Sequence, residues 1–160
     1  MNTTANNLAE RLEQGARALI AFAAKLTDAQ WNTRIPNDGR TVGVVVHHVA
    51  SVYPIEIQLA QTIADGKAIA GVTMADVHAM NAGHAKDNAD VTRDVAIDLL
   101  RSNSTAAAGA IRALTDDQLR LAAPASLYAG APVTAQFVLE DHAVRHSYHH
   151  LTAIKAALQQ

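Results

Sequence analysis

The chain has no cysteine. That removes disulfides, thiolate metal ligands and any thiol nucleophile of its own, and it suits a reducing compartment. Aromatic residues are also scarce, 4% of 160 residues, although 49% are hydrophobic. Alanine, valine and leucine must fill the interior, and such side chains favour close-packed helices over an aromatic-rich sheet. Charge of one sign is missing too: the net charge is −2 with the signs interspersed. Nothing in that balance asks for nucleic acid or an anionic membrane. No uninterrupted apolar run reaches about 18 residues, and the polar opening MNTTANNLAERLEQ is unlike a signal peptide. These absences predict a soluble, cytoplasmic protein that acts on a small molecule. The length suits one domain, 1–160, and is too short for two.

What is present is helical periodicity. A first helix is expected over 4–26, where Leu8, Leu12, Ala16, Leu19, Phe22 and Ala23 recur at steps of three and four. Thr27 and Gln30 form a capping-box pattern for a short turn carrying Trp31. Pro36 and the Asn37–Asp38–Gly39 run make 32–40 a loop. A second long helix is expected from Thr41 to Gly66, with Pro54 kinking it and Ser51 or a neighbour taking the freed carbonyl. Thr73 and Asp76 cap a short helix over 73–89, on which Met74, Val77, Asn81 and His84 share a face. Thr92 opens a helix running to about Thr115; its buried stripe is expected at Val95, Leu99, Ala106, Ala110 and Ala113, widened by Ala96 and Leu114, and Leu100 and Ile111 farther round point to burial on more than one side. Pro124, Gly130 and Pro132 make 120–132 a long loop of the kind that walls a pocket. The last helix spans 133–160 with Thr134 as its N-cap. Four long amphipathic helices and one short extra one read as an all-α four-helix bundle.

Four of the eight histidines fall in the last helix: His142, His146, His149 and His150. On a helical wheel His150 and His146 lean over the face carrying Leu139, Ala143, Ser147, Ile154 and Leu158, whereas His142 and His149 point away. A spacing of four places two imidazoles roughly 5–6 Å apart at Cβ, close enough to share a divalent ion. Solvated helices also carry such pairs. On the second helix His48 sits among Val44, Val45, Val52, Ile55 and Leu59, while His47 turns toward Ser51 and Gln58. A lone buried histidine is ordinarily satisfied by a backbone carbonyl. Three of them on apolar faces of two helices need three such solutions, and one metal supplies a common partner. Three neutral nitrogens with an open position match a catalytic zinc-type site; nickel or ferrous iron also accepts imidazole.

The stretches GRTVGVVVHHVASVYP and HSYHHLTAI resemble the second-helix and last-helix motifs of the DinB/YfiT-like metalloenzyme family, and NAGHAKDN and LTDDQL resemble the segments between them. The resemblance spans nearly the whole chain. It implies a four-helix bundle of DinB/YfiT type, commonly a homodimer, with the family's three metal ligands on His48, His146 and His150. It also implies an enzyme: members include transferases and isomerases that use a low-molecular-weight thiol. In the family an acidic residue often follows the first ligand at about the third position, where this chain has Ser51.

Three chemistries follow from such a site. The first is a metal-dependent transferase or isomerase whose thiol arrives as a cosubstrate, with Tyr53, His84, Tyr128 or Tyr148 orienting the electrophile. The second is a metal-dependent hydrolase, whose general base would come from Glu140 or Asp141; a solvated or interhelical role is the plainer reading of Glu140. The third is a non-catalytic metal-binding or ligand-binding bundle, for which a fourth protein ligand such as His84 would close the site.

Overall fold

A computed structural model describes residues 3–159. Four long helical segments make the bundle: α1 (Thr3–Ala23), α3 (Val42–Ala64), α5 (Arg93–Arg112) and a C-terminal segment built from α7 (Ala135–Val138), a π-helical stretch (Leu139–Val144) and α8 (Arg145–Ala157). Between them lie α2 (Asp28–Trp31), α4 (Met74–Asp87) and α6 (Asp116–Arg120). The helix α5 packs against both α1 and α3, and the C-terminal segment closes the other side against the same two helices. The expected all-α bundle with a short additional helix is therefore observed.

The local signals explain most element starts. Hydroxyls of Thr41, Thr92 and Thr134 accept from the backbone N–H three residues on, and Thr27, Thr73 and Thr115 form complete capping boxes. Each such cap satisfies donors that the first turn leaves orphaned. The helix α3 ends just before Gly66, whose φ of +71° an L side chain adopts only at a cost.

Pro54 lies inside α3 and has no N–H to give the carbonyl of Ala50. Asn103 on α5 supplies the missing donor, its Nδ2 lying 2.9 Å from that oxygen. Ser51 donates to the carbonyl of His48 instead, at 2.9 Å. By length and composition α3 could cross a membrane, but 67% of its most apolar stretch is buried inside the bundle, as a core helix requires.

Four expectations are corrected. The first helix ends at Ala23, not 26, although Leu26 still reaches the core. On α3 the buried arc is rotated: Ile55 is 41% exposed, while Tyr53, Glu56 and Ile57 are buried. On α5 and just past its end, Ala96, Leu100, Ile111 and Leu114 are buried as expected, but the stripe runs through Ile97, Ser104, Ala107 and Ala108, and Val95, expected inside, is 55% exposed. Alanines on both faces gave the wheel little contrast, and the larger Ile97, Leu100 and Ile111 decide which side is inside. The region 120–132 is no structureless loop. Two short strands, β1 (Ala122–Pro124) and β2 (Pro132–Thr134), pair antiparallel with Ala123 opposite Val133, and the turn between them holds a 3-10 segment, Ser126–Tyr128. The last helix consequently begins at Ala135, after β2, and its predicted end at Gln160 lies outside the described residues.

Candidate metal centre

Two regular helical stretches bring the three histidines together. The cap at Thr41 starts α3 so that His48 falls on its inner face, 5% exposed. The π-helical stretch ends at Val144, and α8 is regular, so His146 and His150 share one face a turn apart. One ligand atom from each of His48, His146 and His150 lies within 4.8 Å of the others. Ring centroids are separated by 5.1 Å for His48 and His146, 5.5 Å for His48 and His150, and 4.8 Å for His146 and His150.

A carboxylate holds this group from behind. Glu56 is 6% exposed and stands two turns beyond His48 on α3. Its Oε1 lies 2.5 Å from His146 Nδ1, and its Oε2 is buried with no hydrogen-bond partner. With Nδ1 donating to Glu56, the lone pair of His146 is on Nε2.

The electrostatics keep two of the three, His48 and His150, neutral. Burial above all, then the neighbouring charges of His146 and Arg40, push His48 down to about 2. Burial, again joined by His146 and Arg40, pushes His150 down to about 3. Metal ligation requires the deprotonated imidazole, so these environments hold the ring in the form an ion needs.

The donor set suits a divalent ion. His48 Nδ1 is buried without a partner, which is costly for an isolated core histidine. Three imidazoles and no carboxylate in the set match the borderline preference of zinc, nickel or ferrous iron. Ligands about 2.1 Å from a tetrahedral ion lie roughly 3.4 Å from one another, so a bound ion would draw these rings closer. Among the described residues no fourth histidine, aspartate or glutamate joins the set. On one side the group borders a polar cleft of about 110 Å³ lined by Glu56, Asp141, His142, Arg145, His149 and the two α8 members of the set.

The model of the DinB superfamily matches residues 11–154 of the sequence. The chain belongs to the DinB superfamily. Among solved structures, YfiT from Bacillus subtilis, described as a probable metal-dependent hydrolase with an unusual four-helix bundle topology, is similar at a TM-score of 0.77. The likeness covers 97% of this chain and 86% of that one at 22% sequence identity, and it shows the shared fold. No curated protein matches the sequence.

In this DinB bundle the remaining predicted residues scatter. His84 on α4 does approach the group, with its ring 5.6 Å from that of His48 and its Nε2 2.8 Å from His47 Nδ1, but it is not one of the converging three. Tyr53 is fully buried and its hydroxyl meets Ser147 Oγ at 2.5 Å, so it faces the core and not the cleft. Tyr148 lies on the surface over α1, its hydroxyl 3.4 Å from the carbonyl of Arg11. Glu140 pairs with Arg11 at 2.7 Å, the interhelical role that was its plainer reading. Tyr128 stands at the rim of the cleft: its hydroxyl donates to Asp141 Oδ2 at 2.8 Å and meets His142 Nε2 at 2.6 Å.

Glu56 escaped the sequence reading. The signal was available, since residues eight apart on a helix lie about 80° from one another, within one broad face. The resemblance directed the search for an acid three positions after His48, where this DinB chain carries Ser51, and the wheel placed Ile55 inside. Both drew attention from the carboxylate two turns on.

Proposed function

We propose that the chain is a metal-dependent enzyme acting on a small molecule, with His48, His146 and His150 as the ligands of one divalent ion and hydrolysis as its reaction. The observation that carries this reading is the pairing of three convergent imidazoles with Glu56, a buried carboxylate that keeps one oxygen free beside them. An ion held there supplies Lewis acidity, which acidifies a water or thiol and polarises a carbonyl. The chain's own groups do the rest. Glu56 Oε1 fixes the tautomer and orientation of His146, and Glu56 Oε2 accepts the proton of the attacking nucleophile. Tyr128, held by Asp141 and His142 at the cleft rim, places a hydroxyl where the far end of a substrate would lie. The similarity to YfiT supports the hydrolytic reading through the description that protein carries.

A second reading follows from the family resemblance: the reaction is a transfer or isomerisation by a low-molecular-weight thiol, which the chain, having no cysteine, receives as a cosubstrate. Glu56 serves either nucleophile by the same proton transfer. Elemental analysis of the purified protein beside His48→Ala, His146→Ala and His150→Ala variants tests the ion. Stoichiometric metal in the parent and its loss in each variant is expected; unchanged metal in all three overturns the ligand assignment. Ester and amide hydrolysis, run with and without added thiols and an electrophile, separates the two reactions.

A further inference from the structure

Two neighbouring side chains in the cleft wall are joined through a phenol at its rim. Asp141 and His142 follow one another in the π-helical stretch, and both line the cleft that His146 and His150 border. Wide turns of this kind recur at functional sites. Tyr128 meets both residues: its hydroxyl donates to Asp141 Oδ2 at 2.8 Å and lies 2.6 Å from His142 Nε2. The hairpin turn fixes the tyrosine, whose N–H donates to the Ala125 carbonyl and whose carbonyl accepts from Ala131 N, each at 3.0 Å. Phe137 packs edge-on against the phenol ring, with centroids 5.4 Å apart.

Counting protons gives the direction of these hydrogen bonds. A phenol has one hydrogen to give, and a carboxylate has none. Burial above all, then the bond to Asp141, pushes the Tyr128 hydroxyl above its usual value, so it stays protonated. Its hydrogen goes to Asp141, because without it the 2.8 Å contact would set lone pairs against each other. The 2.6 Å contact then takes its hydrogen from the imidazole, on His142 Nε2. In the neutral ring that leaves the lone pair on Nδ1. Among the described residues Nδ1 has no hydrogen-bond partner, and the His142 side chain is 31% exposed. The wall of the cleft therefore presents an acceptor of fixed identity.

An acceptor recognises a donor, and a site built to bond an N–H rejects the analogue that lacks it. The Asp141 carboxylate beside it disfavours an anion at the same wall. Among hydrolysable acyl compounds an ester offers no donor at the reacting bond, whereas an amide offers its N–H. We propose that His142, locked in one tautomer by Tyr128 and Asp141, is the substrate-specificity residue of this cleft and that its Nδ1 accepts the N–H of a small neutral amide. Tyr128 and Asp141 act through His142 and are positioning residues. The inference deepens the hydrolytic reading and rests on it for the choice of an acyl compound; the lock itself needs no ion.

The test uses N-methylacetamide and methyl acetate, probes of one shape in which an N–H replaces an ester oxygen. Spectra of the histidine ring nitrogens by ¹⁵N NMR, taken at about pH 8 on the metal-free full chain, read the tautomer, and the movement of His142 on titration reads each probe. The parent should show His142 with its hydrogen on Nε2 alone and slow to exchange. N-methylacetamide should bind roughly threefold to tenfold more tightly than methyl acetate, the scale of one neutral hydrogen bond. Tyr128→Phe should lose the slow proton and mix the tautomers. Asp141→Ala frees the phenol hydrogen for Nε2 and should raise the Nδ1–H population. Both variants should lose the preference for the amide, and His142→Ala should bind the two probes alike.

A parent His142 with its hydrogen on Nδ1, or a tautomer and proton exchange unchanged in Tyr128→Phe, overturns the lock. Equal binding of the two probes, or binding of neither, overturns the amide assignment. A locked tautomer with amide preference in a chain that takes up no metal removes the metal reading and keeps this inference. A chain that loads zinc on its three histidines but shows no lock does the reverse.

Discussion

Glu56 and His146 are ninety positions apart in the chain and 2.5 Å apart in the fold. Their contact ties α3 to α8 at the depth where the three imidazoles converge, so the packing that builds the bundle also sets the orientation of a ligand. An imidazole on a helix has two rotatable bonds, and a buried carboxylate on its far nitrogen removes that freedom before an ion arrives.

Replacing Glu56 separates its two roles. Glu56→Gln keeps an oxygen that can accept from His146 Nδ1, so metal affinity should fall by less than about tenfold, whereas Glu56→Ala should cost roughly 10–100-fold. The amide cannot take a proton, and turnover by Glu56→Gln should fall about 10²–10⁴-fold even when fully loaded. Competitive metal titration and kcat measured side by side check this. Loaded Glu56→Gln with near-parental kcat would remove Glu56 as the base.

The metal-free protein should lose stability in acid. Burial, reinforced by the charges of His146 and Arg40, holds His48 at about 2 and His150 at about 3, against about 6.5 in an unfolded chain. Between those values the unfolded chain binds protons that the folded one refuses, so unfolding is favoured as pH drops. The loss begins near pH 6.5 and is complete only near the folded values. Urea midpoints taken from pH 7 to pH 4 should fall steadily, and the slope should be shallower in His48→Gln. A flat profile in the parent would show that these rings are not buried in neutral form.

The histidine set was legible in sequence because it depends on features that local pattern encodes: a spacing of four on one helix, and one polar residue in a valine stripe on another. The bundle was legible for the same reason, its caps and turns being written in Thr, Gly and Pro. Phase was harder to read. On α5 alanines lie on every face, so the wheel puts Val95 in the stripe and Leu100 farther round, whereas in the bundle Leu100 is buried and Val95 exposed. The π-helical stretch carries no sequence period that sets it apart from the regular helix on either side, although Leu139, Ala143 and Val144 in it are buried.

Asn103 and Pro54 should prove coupled. Asn103→Ala leaves the Ala50 carbonyl without a donor in the core, at a cost of about 1–3 kcal/mol. That corresponds to a fall in Tm of roughly 2–4 °C per kcal/mol for a domain of this size. In a Pro54→Ala background the new backbone N–H can serve the same carbonyl, so the same substitution should cost markedly less. A double-mutant cycle by thermal denaturation measures the difference. Additive effects would show that Asn103 does not compensate for the proline.

Gly43 is where α3 comes closest to the only tryptophan. A Cβ at this position would lie 2.5 Å from Trp31 Cε2, and the ring is not free to move away, because its Nε1 donates to the carbonyl of Val91 at 3.0 Å. Gly43→Ala therefore sets a gain in helix propensity of about 1 kcal/mol against overpacking of about 1–3 kcal/mol or more. The clash should win. The variant should unfold at lower temperature, and its tryptophan emission should shift to longer wavelength as the ring is displaced toward solvent. Gly83 in α4 is the control, since nothing lies within 4 Å of a Cβ built there, and Gly83→Ala should leave the emission unchanged and stabilise by up to about 1 kcal/mol. If Gly43→Ala stabilised the protein as Gly83→Ala does, with unaltered emission, Trp31 would not be seated against the start of α3.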